Sequence, residues 1–377
     1  MAKEIFIIAG EVSGDMHAAN LVTALKAQDA SVRVTAIGGP RLKAVSDVFL
    51  FDLATQGITG FIEPLKKLPQ FAKLLKQIRT YFETQKPAAV ITVDYYGFNH
   101  QVLRVANEQK IPCYYYVTPQ VWASRQYRAK KLAQLTRKMY VIYPFEPDFH
   151  RKFGGKAVFL GNPLLDKMPL PLPKEYPTGN VQNYPWKLGL LPGSRQGEIS
   201  RLLPAFYQTF KNILKNFPNT QAYLFLLPEA NEQQILSLLK EPPHPQLHIV
   251  KETDYKVRAQ MDYLLACSGT ATLENALLGV PMLVAYKMFY PTYLIARAVI
   301  RVNAISLVNI LSGKHTVKEF IQHQANAPVF TKETEEMFFH PQKLAAQREE
   351  LLKLRTSLGE KGVAARAAAD ILGDLNK

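Results

Sequence analysis

The chain has 377 residues, of which 47% are hydrophobic and 20% charged, and its formal net charge is +15. This is an ordinary globular composition, long enough to bury a large core, and we expect two domains rather than one. No apolar run reaches the roughly 18 residues that a membrane-spanning helix needs, which excludes an integral membrane protein.

The first half of the chain alternates short apolar strands with helical patterns. Strands are predicted at residues 5–9, 32–37, 88–93, 112–117 and 139–142. The N-terminus enters the first of them almost at once and lacks the basic region and long apolar core of a signal peptide. Cys113 and Cys267 both lie in apolar strands, so we expect buried free thiols in a reducing, cytosolic compartment.

A basic amphipathic segment interrupts this alternation at residues 64–82. Its apolar residues recur at helical spacing, with cations between them: Leu65, Leu68, Phe71, Leu75, Ile78 and Phe82 alternate with Lys66, Lys67, Lys73, Lys76 and Arg79. Such a segment can lie on a membrane surface. The same pattern is also typical of a domain helix that packs its apolar stripe on a sheet and leaves a solvated basic face.

The second half repeats the alternation after a Pro-rich stretch. Strands are predicted at 188–191, 222–226, 247–250, 263–266 and 282–285, and helices near 198–215, 231–240, 270–278 and 334–356. Continuously apolar strands that alternate with helices predict an α/β fold of two doubly wound parallel sheets. Ligands of such sheets bind beyond the carboxyl ends of the strands, so we expect a central cleft between the two domains.

The predicted domains are residues 1–168 and 186–355, joined by a Pro-rich linker at 169–185. Residues 356–377 continue a long helical pattern that begins near 333. This last helix can cross back to the N-terminal domain or exchange with a neighbouring chain, so a homodimer stays open.

Two turns in the second half have the character of anion sites. Leu191-Pro-Gly-Ser-Arg-Gln-Gly-Glu198 runs from a buried strand through a Gly-rich turn into a helix, and Cys267-Ser-Gly-Thr-Ala-Thr-Leu-Glu274 repeats the arrangement. Backbone N–H groups and the dipole at a helix start attract phosphate, and Arg195 adds a fork that matches two phosphate oxygens. Either turn alone is equally typical of a plain strand-to-helix connection, but two together indicate a nucleotide diphosphate.

The N-terminal half ends two of its strands in carboxylates. Glu11 and Asp15 follow the first strand in Gly10-Glu-Val-Ser-Gly-Asp-Met-His17, and Asp94 stands where the strand at 88–93 stops. Two carboxylates would repel a pyrophosphate and instead suit sugar hydroxyls. Helix capping by Ser13 and Asp15 is the structural alternative. Asp94 is a candidate general base if burial raises its pKa, although a strand-end Asp more often caps a helix.

The net charge indicates a negatively charged partner: phosphorylated small molecules, anionic lipid or nucleic acid. No RNA-binding signature is present, so nucleic acid ranks third. The eight histidines show no ligand spacing, and we expect neither a metal nor a cofactor.

Five ordered motifs together resemble a known family. They are Gly10 to Asp15, Asp94 to Asn99, Tyr116-Val-Thr-Pro-Gln-Val-Trp-Ala123, Leu191 to Arg195 with Glu198, and Ser268 to Glu274; Ser306-Leu-Val-Asn309 and Glu319-Phe-Ile-Gln322 follow. The set is similar to lipid-A-disaccharide synthases, which are inverting glycosyltransferases of the two-Rossmann-domain (GT-B) type. The likeness covers most of residues 4 to 325.

The resemblance implies transfer of 2,3-diacylglucosamine from UDP-2,3-diacylglucosamine to 2,3-diacylglucosamine 1-phosphate (lipid X), which gives the β-1,6 lipid A disaccharide 1-phosphate and UDP. It implies catalytic roles for Asp94, Glu11 and Arg195. The implied nucleotide-sugar residues are Gly193, Ser194, Arg195, Glu198, Ser268, Gly269, Thr270, Ala271, Thr272 and Glu274, and the implied acceptor residues are Gly10, Ser13, Gly14, Asp15, Asn99 and Gln120.

Three positions depart from the family's usual pattern: Gly97 replaces a second Asp, Ser124 a Trp, and Asn162 a His. Gly97 removes a carboxylate from the acceptor side. Two other functions stay open: a GT-B UDP-sugar transferase or epimerase with a non-lipid substrate, and a non-catalytic membrane adaptor.

Both implied substrates carry acyl chains. The resemblance therefore implies a cytoplasmic protein, peripheral on the cytoplasmic face of the inner membrane, and it favours residues 60–82 as the docking segment.

Overall fold

The computed structural model describes residues 3–55, 68–290, 293 and 304–377. The chain divides into two units, Met1–Asp166 with Leu358–Lys377 and Lys167–Ser357. The domain boundaries predicted from the sequence are at residues 168, 186 and 356. Each unit is built around one parallel sheet.

The first unit holds seven parallel strands in the order β3-β2-β1-β4-β5-β6-β7. They are β1 (Glu4–Ala9), β2 (Arg33–Gly38), β3 (Val48–Asp52), β4 (Ala89–Val93), β5 (Cys113–Tyr116), β6 (Lys138–Val141) and β7 (Ala157–Phe159). The five predicted strands are confirmed to within two residues. The sequence analysis did not predict β3 and β7, although both contain short apolar runs. Both are edge strands that are only partly buried or exposed, and β7 has just three residues.

Helices cover both faces of this sheet. They are α1 (Val12–Gln28), α2 (Pro40–Val45), α3 (Leu68–Gln85), α4 (Tyr96–Glu108), α5 (Tyr127–Leu135), α6 (Glu146–Arg151), α7 (Leu164–Lys167) and, from the C-terminus, α14 (Val363–Leu375). Successive side chains of β1 enter opposite cores: Ile5 and Ile7 pack with α1 and α14, whereas Phe6 packs with α3 to α5.

The amphipathic pattern after residue 67 is a core helix. Leu74, Ile78 and Phe82 of α3 are at most 4% exposed and pack in the core beneath the sheet, while Lys73 and Lys76 face solvent. The apolar stripe of α3 is therefore not available to a membrane, which corrects that part of the docking hypothesis. Residues 60–67, including Lys66 and Lys67, lie outside the described residues.

The second unit holds six parallel strands in the order β10-β9-β8-β11-β12-β13. They are β8 (Lys187–Leu191), β9 (Gln221–Leu226), β10 (Leu247–Lys251), β11 (Tyr263–Cys267), β12 (Met282–Tyr286) and β13 (Glu319–Ile321). The five predicted strands are again confirmed, and the three-residue edge strand β13 is new. Both sheets have the Rossmann strand order, with a switch point between β1 and β4 and another between β8 and β11.

The helices of the second unit are α8 (Gln196–Ile213), α9 (Glu232–Leu236), α10 (Thr270–Leu278), α11 (Leu307–Ser312), α12 (Ala327–Phe339) and α13 (Pro341–Ser357). The helix predicted at 334–356 is two helices. Pro341 disfavours a helical conformation at His340 and begins the second helix instead.

The Pro-rich stretch at 169–185 packs against the second unit. Lys174 forms a 2.5 Å ion pair with Asp262, Arg348 donates to the carbonyl of Leu172, and Tyr184 borders the core beside Trp186. The stretch has little regular secondary structure, but contacts at Leu172, Lys174 and Tyr184 hold it against the second unit.

The last helix, α14, belongs to the first unit. Its Asp370 accepts hydrogen bonds from Tyr140 (2.7 Å) and Lys138 (2.8 Å), and its Asp374 accepts from Tyr114 (2.7 Å). These bonds join α14 to strands β5 and β6. Cys113 and Cys267 are free and buried. In the described ranges no helix has the length and apolar character to cross a membrane.

Candidate active site

The loops after β1 and β4 meet at the switch point of the first sheet. A Cβ at Gly10 would collide with the ring of Tyr95, and one at Gly14 would lie 3.5 Å from the Cβ of Asp94. Only glycine at position 10 permits this close approach. The two predicted glycines thus bring Glu11 and Asp94 to one edge of the sheet.

The backbone at Asp94 is held in an unusual conformation. Asp94 and Tyr95 have φ values of 49° and 39°, in the left-handed region that costs free energy for residues other than glycine. The Asp94 carbonyl accepts hydrogen bonds from Asn99 Nδ2 at 2.9 Å and from the Tyr115 hydroxyl. These bonds hold the backbone of Asp94 in this conformation.

The Asp94 carboxyl has a raised pKa of about 6. Burial is the main cause, because it disfavours the charged form, and the negative charge of Glu11 adds to it. A carboxylate with this pKa is ionised at neutral pH and yet accepts a proton more readily than an ordinary aspartate. It can therefore act as a general base.

Asp15 has a structural role. It is 2% exposed, and its carboxylate accepts from the backbone N–H groups of Gly39 (2.7 Å), Arg41 (3.0 Å) and Leu42 (3.1 Å). Asp15 thus accepts from N–H groups at the start of α2, which have no partner within that helix. The alternative interpretation had Asp15 capping its own helix, α1, instead. Both carboxylate oxygens therefore have partners within the protein, and contact of Asp15 with the acceptor stays a prediction.

The remaining predicted acceptor residues lie around the same loops. Ser13 is exposed at the start of α1, and the buried Asn99 also donates to the carbonyl of Val93 at 3.0 Å. Gln120 is exposed, and its Nε2 donates to the Tyr143 hydroxyl at 3.4 Å. Ser13 and Gln120 have side chains open to a ligand, whereas Asn99 acts on the backbone of Asp94.

A cavity of about 380 Å³ lies beyond the carboxyl ends of β8 to β11 in the second unit. Eight of the ten predicted nucleotide-sugar residues line it: Gly193, Ser194, Glu198, Ser268, Gly269, Thr270, Ala271 and Glu274. Arg195 and Thr272 do not. Thr272 is fully buried and its hydroxyl donates to the Gly269 carbonyl at 2.8 Å, so it shapes the turn.

The Gly-rich turn depends on Gly193 and Glu198. Gly193 has φ 120°, and a Cβ there would lie 2.7 Å from Glu198 Oε2. Glu198 accepts from the Arg195 backbone N–H at 3.3 Å and from its guanidinium at 3.2 Å. Glu198 therefore stabilises the turn, while the Arg195 side chain, 76% exposed, stays open to a ligand.

The two turns start helices at adjacent strands. Arg195 is the residue before α8, and Gly269 is the residue before α10. The first N–H groups of a helix have no partner within it and carry partial positive charge. The cavity is therefore bordered by two helix starts, an arrangement suited to phosphate groups.

Comparison with known proteins bears on this geometry. Residues 5–371 match the family model for lipid-A-disaccharide synthetase. A lipid-A-disaccharide synthase of Syntrophus aciditrophicus is 36% identical over 100% of this chain and 99% of its own length. One from Geobacter metallireducens is 33% identical over 100% of this chain and 98% of its own.

The chain belongs to the lipid-A-disaccharide synthase family. It is a disaccharide-forming glycosyltransferase, which excludes the non-catalytic adaptor and favours this family over an epimerase. Solved structures agree on the fold: S. aureus MnaA in a co-structure with UDP has a TM-score of 0.65 at 14% identity, covering 99% of this chain and 97% of its own. MurG of Acinetobacter baumannii has a TM-score of 0.59 at 15% identity, and the match covers 98% of this chain and 99% of MurG.

This synthase has an ion-pair network in the cavity that the sequence did not reveal. Arg258, only 8% exposed, pairs with Glu252 and, at 2.9 Å, with Glu274, which also accepts from the Tyr255 hydroxyl at 3.0 Å. Burial raises the pKa of Glu252, and the charge of Arg258 opposes this rise. Residues 252–260 lack strand or helix periodicity, so no sequence signal pointed to them.

A second group missed from the sequence lies in the first unit. Glu146 is fully buried and accepts from the indole N–H of Trp122 at 3.1 Å and from the backbone N–H groups of Ile142 and Tyr143, each at 2.9 Å. Burial raises its pKa to about 7. Glu146 thereby holds the loop that carries Gln120. The only hint in the sequence was Trp122, whose indole N–H needs an acceptor when buried.

In the described ranges no group of three or more His, Cys, Asp or Glu side chains is arranged to hold a metal ion. That the synthase uses neither a metal nor a cofactor stays a prediction. The central cleft between the two domains also stays a prediction.

Proposed function

We propose that the synthase transfers 2,3-diacylglucosamine from UDP-2,3-diacylglucosamine to the 6-hydroxyl of 2,3-diacylglucosamine 1-phosphate, with Asp94 as general base. The observation that carries the proposal is the Asp94 carboxyl, fixed at the switch point of the first sheet with a pKa of about 6. Family membership supports the substrates.

In the proposed step, the acceptor oxygen attacks the anomeric carbon of the donor sugar as the bond from that carbon to the diphosphate oxygen breaks. The hydroxyl proton passes to Asp94. The anomeric centre inverts, and the electron pair of the broken bond leaves with UDP. Glu11 supports the step by raising the pKa of Asp94.

The departing UDP gathers negative charge on its diphosphate. The Arg195 guanidinium and the helix starts at Gln196 and Thr270 supply positive charge and donors for it. Glu274 suits the ribose hydroxyls, since its carboxylate lines the cavity and is held by Arg258 and Tyr255.

The test is to mix the purified chain with the diacylated donor and acceptor and to measure UDP release and disaccharide formation. Replacing Arg195 by Ala is expected to lower kcat/KM for the donor by roughly 100-fold, because a charge-assisted contact to the diphosphate is lost. Isothermal titration with UDP should show weaker binding.

Arg151 supplies the matched control for Arg195. It is also an exposed Arg paired with an acid three residues away, at 2.7 Å from Asp148 and 75% exposed. Arg151→Ala should retain the parent's kcat/KM. Equal activity of Arg195→Ala and the parent would contradict the role of Arg195.

We further propose that the synthase meets its acylated substrates at the cytoplasmic face of the inner membrane. The support is the net charge of +15 and the solvated basic face of α3, with Lys73 and Lys76 exposed. Cations at a surface contribute roughly 1 kcal/mol each to binding of anionic lipid. The possible homodimer stays a prediction.

Reversing the charge of Lys73 and Lys76 together to Glu should weaken sedimentation with phosphatidylglycerol vesicles by tenfold or more. The matched control reverses two exposed lysines elsewhere, Lys152 and Lys215, with the same change in net charge. If both double variants bind vesicles equally well, general charge rather than the α3 face governs docking.

A further inference from the structure

Four cations gather on α4, on α5 and in the loop just before α5, all in the first unit. They are Arg104, Arg125, Arg128 and Lys131, here called the cationic cluster. Arg104, Arg125 and Lys131 are exposed, and Arg128 is half-buried. Both helices follow strands that neighbour each other in the sheet, β4 and β5, so both leave the sheet edge where Asp94 lies.

Aromatic rings organise the cationic cluster. The Arg128 guanidinium stacks over the Tyr96 ring at 4.2 Å, and the Tyr127 ring has Arg128 and Lys131 each within 6.0 Å. Tyr96 in turn stacks on His100 at 5.2 Å. Ring stacking holds a guanidinium in place while leaving its edge N–H groups free for an anion.

The charge of this cluster is not neutralised. In the part of the chain that the structure describes, none of its four cations has a carboxylate oxygen within the 4.0 Å of an ion pair. The pKa of the exposed Tyr127 phenol is lowered, chiefly by Arg128 and further by Arg125 and Lys131. The pKa of His100 is lowered by burial and then by Lys131, Arg104 and Arg128. Two separate side chains thus experience a positive field.

The cluster begins beside the proposed base. Tyr96, which carries the stacked Arg128, follows Asp94 by two residues. Burial raises the pKa of Tyr115, whose hydroxyl donates to the Asp94 carbonyl, and both Asp94 and Tyr96 add to this rise. Asp94 and Glu11 together would repel an acceptor that carries a phosphate monoester. The cationic cluster, which follows the same sheet edge, would attract such a phosphate.

We propose that the cationic cluster, with Arg128 and Lys131 at its centre, binds the phosphate monoester of the acceptor sugar. The inference rests on the proposed function, because it names the acceptor of that reaction. A phosphate monoester carries nearly two negative charges and three acceptor oxygens, which match a guanidinium and an ammonium on adjoining turns of one helix.

The test compares two acceptors, 2,3-diacylglucosamine 1-phosphate and the same sugar without the phosphate, on the full chain and on the double variant Arg128→Gln, Lys131→Gln. The parent should prefer the phosphorylated acceptor in kcat/KM by roughly 10- to 100-fold. The double variant should lose most of this preference through a raised KM for the phosphorylated acceptor. Its kcat/KM for the other acceptor and its KM for the donor should not change.

Lys130→Gln is the matched control. Lys130 is exposed on the same helix, and its charge is not among those that lower the pKa of His100 or Tyr127. This variant should keep the parent's preference. A double variant that keeps the preference, or loses both acceptors equally, would overturn the inference.

Membrane phosphate is a separate outcome of the same experiment. If the double variant keeps its acceptor preference but no longer binds vesicles of phosphatidylglycerol and phosphatidylcholine, the cluster contacts lipid headgroups and the inference is wrong. If the parent forms no disaccharide, the proposed function fails. Calorimetric binding of the phosphorylated acceptor to parent and double variant then still decides the inference.

Discussion

Replacing Asp94 by Asn is expected to lower kcat by a factor of about 10² to 10⁴, because the amide cannot take the proton of the attacking hydroxyl. UDP binding should be unchanged, since the cavity proposed to bind the nucleotide lies in the other unit. In the parent, kcat should rise with pH through about 6, where the Asp94 carboxyl ionises. The residual activity of Asp94→Asn should lack this rise.

The same variant should be more stable than the parent at neutral pH. The pKa of Asp94 is raised on folding from 3.8 to about 6, so the folded state holds the proton more tightly than the unfolded state. The associated stability is present below pH 3.8 and is lost as pH rises through 6. A neutral Asn avoids this loss, and thermal unfolding at pH 7.5 should show a gain of about 1–3 kcal/mol.

If Asp94→Asn loses activity but gains stability, the activity was lost because the base is missing. A misfolded variant would lose both. Asp148→Asn serves as the control, because Asp148 is an exposed carboxylate in the same unit, 73% exposed. It should change neither kcat nor stability appreciably. Full activity of Asp94→Asn would end the role of Asp94 as base, and a drop in its stability would contradict the raised pKa.

Replacing Arg258 by Ala is expected to destabilise the second unit by about 3–5 kcal/mol, since it leaves a buried carboxylate without its partner. The side chains of Arg258 and Glu252 are each 9% exposed, and Glu274 shares the same guanidinium. Urea unfolding should show the loss. Because Glu274 would no longer be held in place, calorimetry should also show weaker UDP binding.

Arg137→Ala is the matched control for Arg258→Ala. Arg137 pairs with Asp374 at 2.7 Å but is 45% exposed, and an exposed pair contributes only about 0–1 kcal/mol. The double variant Glu252→Gln, Arg258→Met should recover much of the stability, because it removes the unpaired charge. Equal unfolding midpoints for Arg258→Ala and Arg137→Ala would show that the buried network contributes little.

Sequence reasoning worked best for strands and turns, whose structure depends on residues that are adjacent in the chain. The strands at the centre of both sheets were predicted to within two residues, because burial on both faces requires a continuous apolar run. The Gly-rich turn at Gly193 and the strand-end position of Asp94 were also visible, since a strand, a glycine and a helix start follow one another directly in the chain. The edge strand β7 was missed because its apolar run is short and only partly buried.

Partners that are distant in the chain could not be predicted. Asp15 had the sequence character of a sugar ligand or a cap for its own helix, yet it bonds to the start of α2 more than 20 residues later. Arg258 lies in a segment without periodicity, and only the packing of β10, β11 and α10 brings Glu252 and Glu274 to it.

The sequence by itself determined the two parallel sheets, the two strand-to-helix turns and the strand-end position of Asp94, because strand burial and turn geometry depend on neighbouring residues. Only the tertiary structure decided that the stripe of α3 is buried in the core and that Glu146 holds the loop that carries Gln120. It also decided that, among the described residues, no carboxylate oxygen lies within 4.0 Å of a cation of the cluster. Burial, ion pairing and pKa are properties of the surroundings in space, and those surroundings come from segments far apart in the chain.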